Sequence, residues 1–85
     1  MFITSAGEPP NWNKAIRTVV RAIRLDADLS QQELADPLHV SRSVIANLEA
    51  GRRAIQASEL PSIARALRCS PETLVRRILA WATGV

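Results

Sequence analysis

Five residues near the middle of the chain carry side chains suited to base edges, four by hydrogen bonding and one by a methyl group. They are Ser41, Arg42, Ser43, Ala46 and Asn47. A guanidinium fork such as that of Arg42 can donate twice to guanine O6 and N7. A carboxamide such as that of Asn47 can pair with adenine N6 and N7. The Ser43 hydroxyl donates or accepts, and the Ala46 methyl can meet a thymine methyl. The same side chains also suit an ordinary exposed helix, and residue types alone leave both readings open.

Catalytic and metal chemistry find less support. His39 is the single histidine and Cys69 the single cysteine, so Cys69 can form no internal disulfide and no zinc site alone. Ser41 and Ser43 have no base positioned to activate them. With three glycines in all, there is no phosphate-cradling glycine loop. The expectation is a non-enzyme without metal or cofactor and without a small-molecule ligand.

Charge narrows the candidates for an anionic partner. Ten of the eleven basic residues are arginine, against eight acids, for a net charge of +3. The distribution is uneven. Residues 12–25 carry Lys14, Arg17, Arg21 and Arg24 and no acid, whereas residues 26–40 carry Asp26, Asp28, Glu33 and Asp36 and no base. Arg52 and Arg53 follow the segment that holds Arg42 and Asn47.

The elements that must position these side chains are all helical by pattern. Eighty-five residues, 47% hydrophobic and 22% charged, suffice for one small core. Residues 1–11 show no period and read as a flexible arm, with Phe2 and Ile3 as apolar anchors; the domain proper is expected over 12–85. Trp12, Ile16, Val19, Val20 and Ile23 form the stripe of a first helix. Ser30-Gln31-Gln32-Glu33 is a capping box that starts a second, with Leu34, Ala35 and Leu38 inward. Ser41 is the cap predicted for a third helix, with Val44, Ile45 and Leu48 buried and Gly51 closing it in a left-handed conformation. Ser58 is the cap predicted for a fourth, with Leu60, Ile63, Ala64 and Leu67 inward. Ser70-Pro71-Glu72 starts a fifth, whose apolar face holds Leu74, Val75, Ile78, Leu79 and Trp81. No segment alternates with period two, and no apolar run is long enough to span a membrane. Neither a signal-peptide pattern nor paired cysteines are present, so the expected location is the cytoplasm.

The brief link around Leu38-His39-Val40-Ser41 forces the second and third helices to cross steeply, as in a helix-turn-helix. The run LSQQELADPLHVSRSVIANLEAGRRA, from Leu29 to Ala54, resembles the Cro and phage-repressor type of helix-turn-helix, the XRE or lambda-repressor-like family. The resemblance continues through Leu60, Ile63-Ala64, Leu67 and Ser70 to Leu74 and spans roughly residues 15–75. It implies an all-α, five-helix domain whose third helix enters the major groove of double-stranded DNA, with Ser41, Arg42, Ser43, Ala46 and Asn47 at base edges. It implies that Gln31, at the start of the second helix, meets a backbone phosphate. Arg52 and Arg53 would meet phosphates beyond the third helix, and Lys14 and Arg17 are weaker phosphate candidates. By the same resemblance Arg24 and Glu49 form an ion pair that holds the recognition helix in place.

Two residues depart from the pattern. Where the family normally has a glycine in the turn, this chain has His39, and a left-handed histidine costs of order 1 kcal/mol. Pro37 would cost ~3 kcal/mol inside a regular helix, so the second helix is predicted to kink or to end near Asp36. Cys69 takes an apolar family position and is expected to be a small buried side chain.

One such module touches few base pairs, so two copies on a palindromic site are expected, with half-sites about 34 Å apart. Val75, Leu79 and Trp81 are the candidate dimer contacts, with simple core coverage as the competing account. The expected role is a small repressor of the Cro, phage-repressor or restriction-control kind. The alternative is an antitoxin-like or co-regulator module whose last helix binds a toxin or another regulator.

Overall fold

The computed structural model describes residues 11–84, so residues 1–10 of the arm proposed over 1–11 lie outside the described residues, and Asn11, its last residue, belongs instead to the folded domain as the cap of α1. Five α-helices follow one another: α1 (Trp12–Asp26), α2 (Gln31–Ala35), α3 (Arg42–Glu49), α4 (Leu60–Ala66) and α5 (Pro71–Thr83). Short 3-10 turns at Asp36–Leu38 and Ala57–Glu59 precede α3 and α4. No strand occurs among the described residues. Helix α1 packs on α5 and α3, α2 on α3, and α4 on α5.

One core joins them. Helix α1 contributes Ala15, Val19, Val20 and Ile23; α2 contributes Leu34 and Ala35; α3 contributes Ile45 and Leu48. Ile63, Ala64, Ala66 and Leu67 enter from the fourth helix and its end, and Leu74 and Ile78 from α5. Burying these side chains supplies the main drive for folding. Trp12, read as the first residue of the inward stripe, is 43% exposed. It is the first residue of α1, with no preceding turn to cover it, and the buried stripe starts in effect with Ala15 and Ile16.

Helix starts follow the local signals at three places and depart from them at two. Asn11 caps α1 by accepting from the Lys14 amide, Ser70 caps α5 through Thr73, and the Ser30–Glu33 box is fully formed. The Ser30 amide, with its hydroxyl, holds the Glu33 carboxyl below the ordinary glutamate value. Ser41 has the extended backbone of a cap, but its hydroxyl pairs with that of Ser43 at 2.8 Å instead of closing the helix. Ser58 is no cap: it sits inside the 3-10 turn, and Gln56 with Glu59 forms the box ahead of α4. The Ser58-to-Pro61 stretch mimics a cap-and-proline start, but Pro61 sits in the first turn of a helix already entered from the 3-10 turn.

Pro37 acts as its chemistry requires. Helix α2 ends at Ala35, and the chain tightens into the 3-10 turn with Pro37 in its first residues. His39 then takes φ 57° and ψ 39°, the left-handed geometry that the turn needs. Cys69 is half-buried against the core, and burial pushes its thiol up, away from the reactive thiolate.

Candidate nucleic-acid interface

Helix α3 divides cleanly. Ile45 and Leu48 are buried, while Ser41, Arg42, Ser43 and Asn47 are exposed and Ala46 is half-exposed between them. The structure thus places Arg42, Ser43, Ala46 and Asn47 along one outward face, as helical spacing requires, with Ser41 exposed beside them as the extended residue before the helix. That face lies on a firm support, since the opposite side of the same short helix is locked into the core.

The support includes a buried ion pair. Arg24 Nε donates to Glu49 Oε2 at 2.7 Å, and Nη2 donates to Oε1 at 2.9 Å. The third nitrogen, Nη1, donates to the Leu29 carbonyl at 2.8 Å, fixing the chain between α1 and α2. Both side chains are under a tenth exposed. The hydrogen bond to Glu49 raises the Arg24 pKa, against an opposing push from burial. No buried side-chain nitrogen or oxygen among the described residues lacks a partner. A two-pronged guanidinium–carboxylate contact sets orientation as well as distance, so Arg24 fixes the last turn of α3 relative to α1.

The network reaches the outward face through Gln31. Its Nε2 donates to Glu49 Oε1 at 3.1 Å, and its Oε1 accepts from Arg42 Nη1 at 3.3 Å. Gln31 therefore links the buried carboxylate to an exposed arginine at the entry of α3. Arg21, one turn before Arg24, brings Nε to 3.9 Å from Glu49 Oε1 with its side chain 59% exposed. Arg21 shares a face of α1 with Arg17 and Arg24, at spacings of four and three. Its spacing of three from Arg24 was the available signal for its place beside Glu49.

The basic side chains around the far end of α3 have different environments. Arg17 is half-buried, with its guanidinium over Gly51: a Cβ built on that glycine would lie 2.9 Å from Arg17 Cζ. Lys14 is exposed one turn earlier on α1. Arg52 is exposed and donates to Asn47 Oδ1 at 3.2 Å. Arg53 is held by Glu59 at 2.6 Å, and that contact, helped by the Gln56 amide, keeps the Glu59 carboxyl below its ordinary value. Arg53 must exchange an existing partner before it can bind an anion.

The candidate dimer residues do not share one surface. Val75 and Leu79, 40% and 47% exposed, border a shallow groove with Pro71, Glu72 and Arg76. Trp81, two residues beyond Leu79 and so about 200° round the helix, borders a hollow with Thr18, Val19 and Ala22 of α1.

Among the described residues no group of histidine, cysteine and carboxylate side chains could hold a metal ion. No helix among them is long and apolar enough to cross a membrane.

Comparison with known proteins agrees with this geometry. The helix-turn-helix family model matches residues 20–74. The fold is similar to that of the clp gene regulator ClgR from C. glutamicum, with 27% identity and a TM-score of 0.75 over 84% of this chain and 92% of that one. The restriction-modification controller protein C.Esp1396I gives 21% identity and a TM-score of 0.78, over 84% and 93% of the two chains. A further structure is that controller's tetramer in complex with its natural 35 base-pair operator. It matches at 26% identity and a TM-score of 0.69, over 81% of this chain and 96% of that one. No curated protein matches the sequence significantly. With α2 and α3 joined through residues 36–41 and packed on each other, α3 outward on a buried Arg24–Glu49 support, and the family model spanning all of it, the chain belongs to the XRE-type helix-turn-helix family of DNA-binding transcriptional regulators.

Proposed function

We propose that the protein binds a palindromic operator in double-stranded DNA as a homodimer and represses transcription by covering it. The observation that carries the reading is the outward row Ser41, Arg42, Ser43, Ala46 and Asn47 on a helix whose other side is buried. In this reading Arg42 donates to a guanine edge, Asn47 reads an adenine, and Ser43 and Ala46 make lesser contacts. Gln31 and Arg52 bind phosphates on either side of α3, with Arg53, Arg17 and Lys14 as outer cations. Arg24 and Glu49 stay paired and hold the helix at its angle.

The dimer contact that the exposed surface favours is the Val75–Leu79 strip of α5, since Trp81 is turned toward α1. The two-fold operator follows from that pairing, because each copy presents one α3. The C.Esp1396I controller, seen as a tetramer on its operator, supports a multi-copy arrangement.

The test is selection of bound sites from random double-stranded DNA, followed by titration at fixed salt. Arg42→Ala is expected to lose about 1–3 kcal/mol on the selected site and to relax preference at one base pair. Sedimentation should show a dimer that Leu79→Glu converts to monomer. A chain that binds all DNA alike, and that keeps its affinity in the Arg42→Ala variant, would instead favour a protein-interaction module of the antitoxin or co-regulator kind.

A further inference from the structure

The exit of α3 has a geometry that gives Arg52 a second task. Its last residues close by two backbone bonds: the Gly51 amide donates to the Leu48 carbonyl at 3.2 Å, and the Arg52 amide donates to the Asn47 carbonyl at 2.9 Å. This is the paired closure of a Schellman cap, in which the second residue past the cap folds back over the third residue from the helix end. Such a closure usually brings two apolar side chains together at those places. Here the places are held by Arg52 and Asn47, and a hydrogen bond from Arg52 Nη1 to Asn47 Oδ1 at 3.2 Å stands where the apolar contact would be. The backbone of the cap, not chance on an open surface, sets the two side chains side by side. Gly51 makes the closure possible, with φ 83° and the Arg17 guanidinium packed where a Cβ would go.

Chemistry fixes the sense of the contact. A guanidinium only donates, so the amide atom facing Arg52 must be the oxygen. The Asn47 amide is thereby turned with its nitrogen away from Arg52. Arginine has five donor hydrogens in a planar fork, and one bond to Asn47 leaves the rest free for a phosphate.

We propose that Arg52 is a positioning residue for base readout: bound to a backbone phosphate, it holds the Asn47 amide in one orientation and so couples that phosphate contact to recognition of a single base pair. This inference rests on the DNA-binding reading above and adds to it. A cation that only neutralises phosphate weakens all sequences alike; a cation that also orients a reading group changes preference at the one position which that group reads.

The experiment measures affinity for the selected site and for its three substitutions at the Asn47 position. It uses the full chain, the Arg52→Ala, Arg53→Ala and Asn47→Ala variants, and the Arg52→Ala/Asn47→Ala pair. Arg52→Ala is expected to reduce discrimination at that position by roughly three- to tenfold, the range that one hydrogen bond of ordinary net strength supplies. Arg53→Ala should weaken all four sites equally. In the Asn47→Ala background, removing Arg52 should leave the residual preference unchanged. Nuclear magnetic resonance of the DNA-free protein supplies an independent readout: Arg52→Ala should set the Asn47 side chain averaging among rotamers. Equal weakening of all four sites by Arg52→Ala, with Asn47 unaltered in the free protein, would overturn the coupling while leaving DNA binding intact. A wild-type chain without sequence preference would overturn the DNA reading itself, and the resonance measurement would still decide whether Arg52 orients Asn47.

Discussion

The two ends of the helix-turn-helix core close in the same way with different residues. At the turn that enters α3, His39 is left-handed at φ 57°, its amide bonds Asp36, and the Val40 amide bonds Ala35. At the exit, Gly51 is left-handed at φ 83° between matching bonds to Leu48 and Asn47. Asp28 and Arg68 repeat the pattern after α1 and α4. The residue following His39, Asp28 and Arg68 is apolar or thiol-bearing and packs inward: Val40 and Cys69 are half-buried, and Leu29 is buried. That burial offsets a strained backbone. After Gly51 comes exposed Arg52, with no apolar anchor to compensate. The comparison teaches that glycine is required where packing does not hold the turn, and that a side chain is tolerated where packing does.

Several substitutions would break or sharpen this contrast. The largest effect is expected for Glu49→Ala, which leaves Arg24 buried and unpaired beneath the exit. It should cost about 3–5 kcal/mol, read as the midpoint of urea unfolding, and a loss under 1 kcal/mol would show that the pair does not support α3. Gly51→Ala comes next at about 1–2 kcal/mol, the cost of a left-handed alanine. Arg17 moves aside there as the flexible partner, and thermal melting measures the loss. At the entry the sign reverses: His39→Gly should stabilise by up to about 1 kcal/mol, and no gain would mean that the packing of Val40 has already absorbed the strain. Pro37→Ala should be the smallest, costing about 0.4–1 kcal/mol through the looser unfolded chain, because α2 has ended before the proline.

Acid should act on the caps. The Glu33 and Glu59 carboxyls have folded pKa values below the ordinary one. Their contribution is therefore complete above the ordinary glutamate value and lost as pH falls through the lowered folded values. The melting temperature should drop across that acid window, and Glu59→Gln should flatten the drop. An unchanged slope in that variant would assign the effect elsewhere.

Much of the architecture was legible in the chain. The Ser30–Glu33 box, Ser70-Pro71-Glu72 and Gly51 are short-range devices, decided by groups three or four residues apart, and each forms where expected. Pro37 also acts locally, and α2 stops before it. Ser58 misled because two overlapping start signals compete there, and the 3-10 turn capped by Gln56 and Glu59 prevailed. Trp12 misled because a position at the very start of a helix has no neighbour on its far side to bury against.

The order of helices and the outward row from Ser41 to Asn47 were determined by sequence alone, since helical period and capping depend only on neighbours along the chain. Three things came from the tertiary structure. Gln31 joins Glu49 to Arg42, Arg53 is already engaged by Glu59, and Trp81 faces away from Val75 and Leu79. Each depends on where one helix lies against another, and long polar or aromatic side chains settle only once packing has fixed the distances between them.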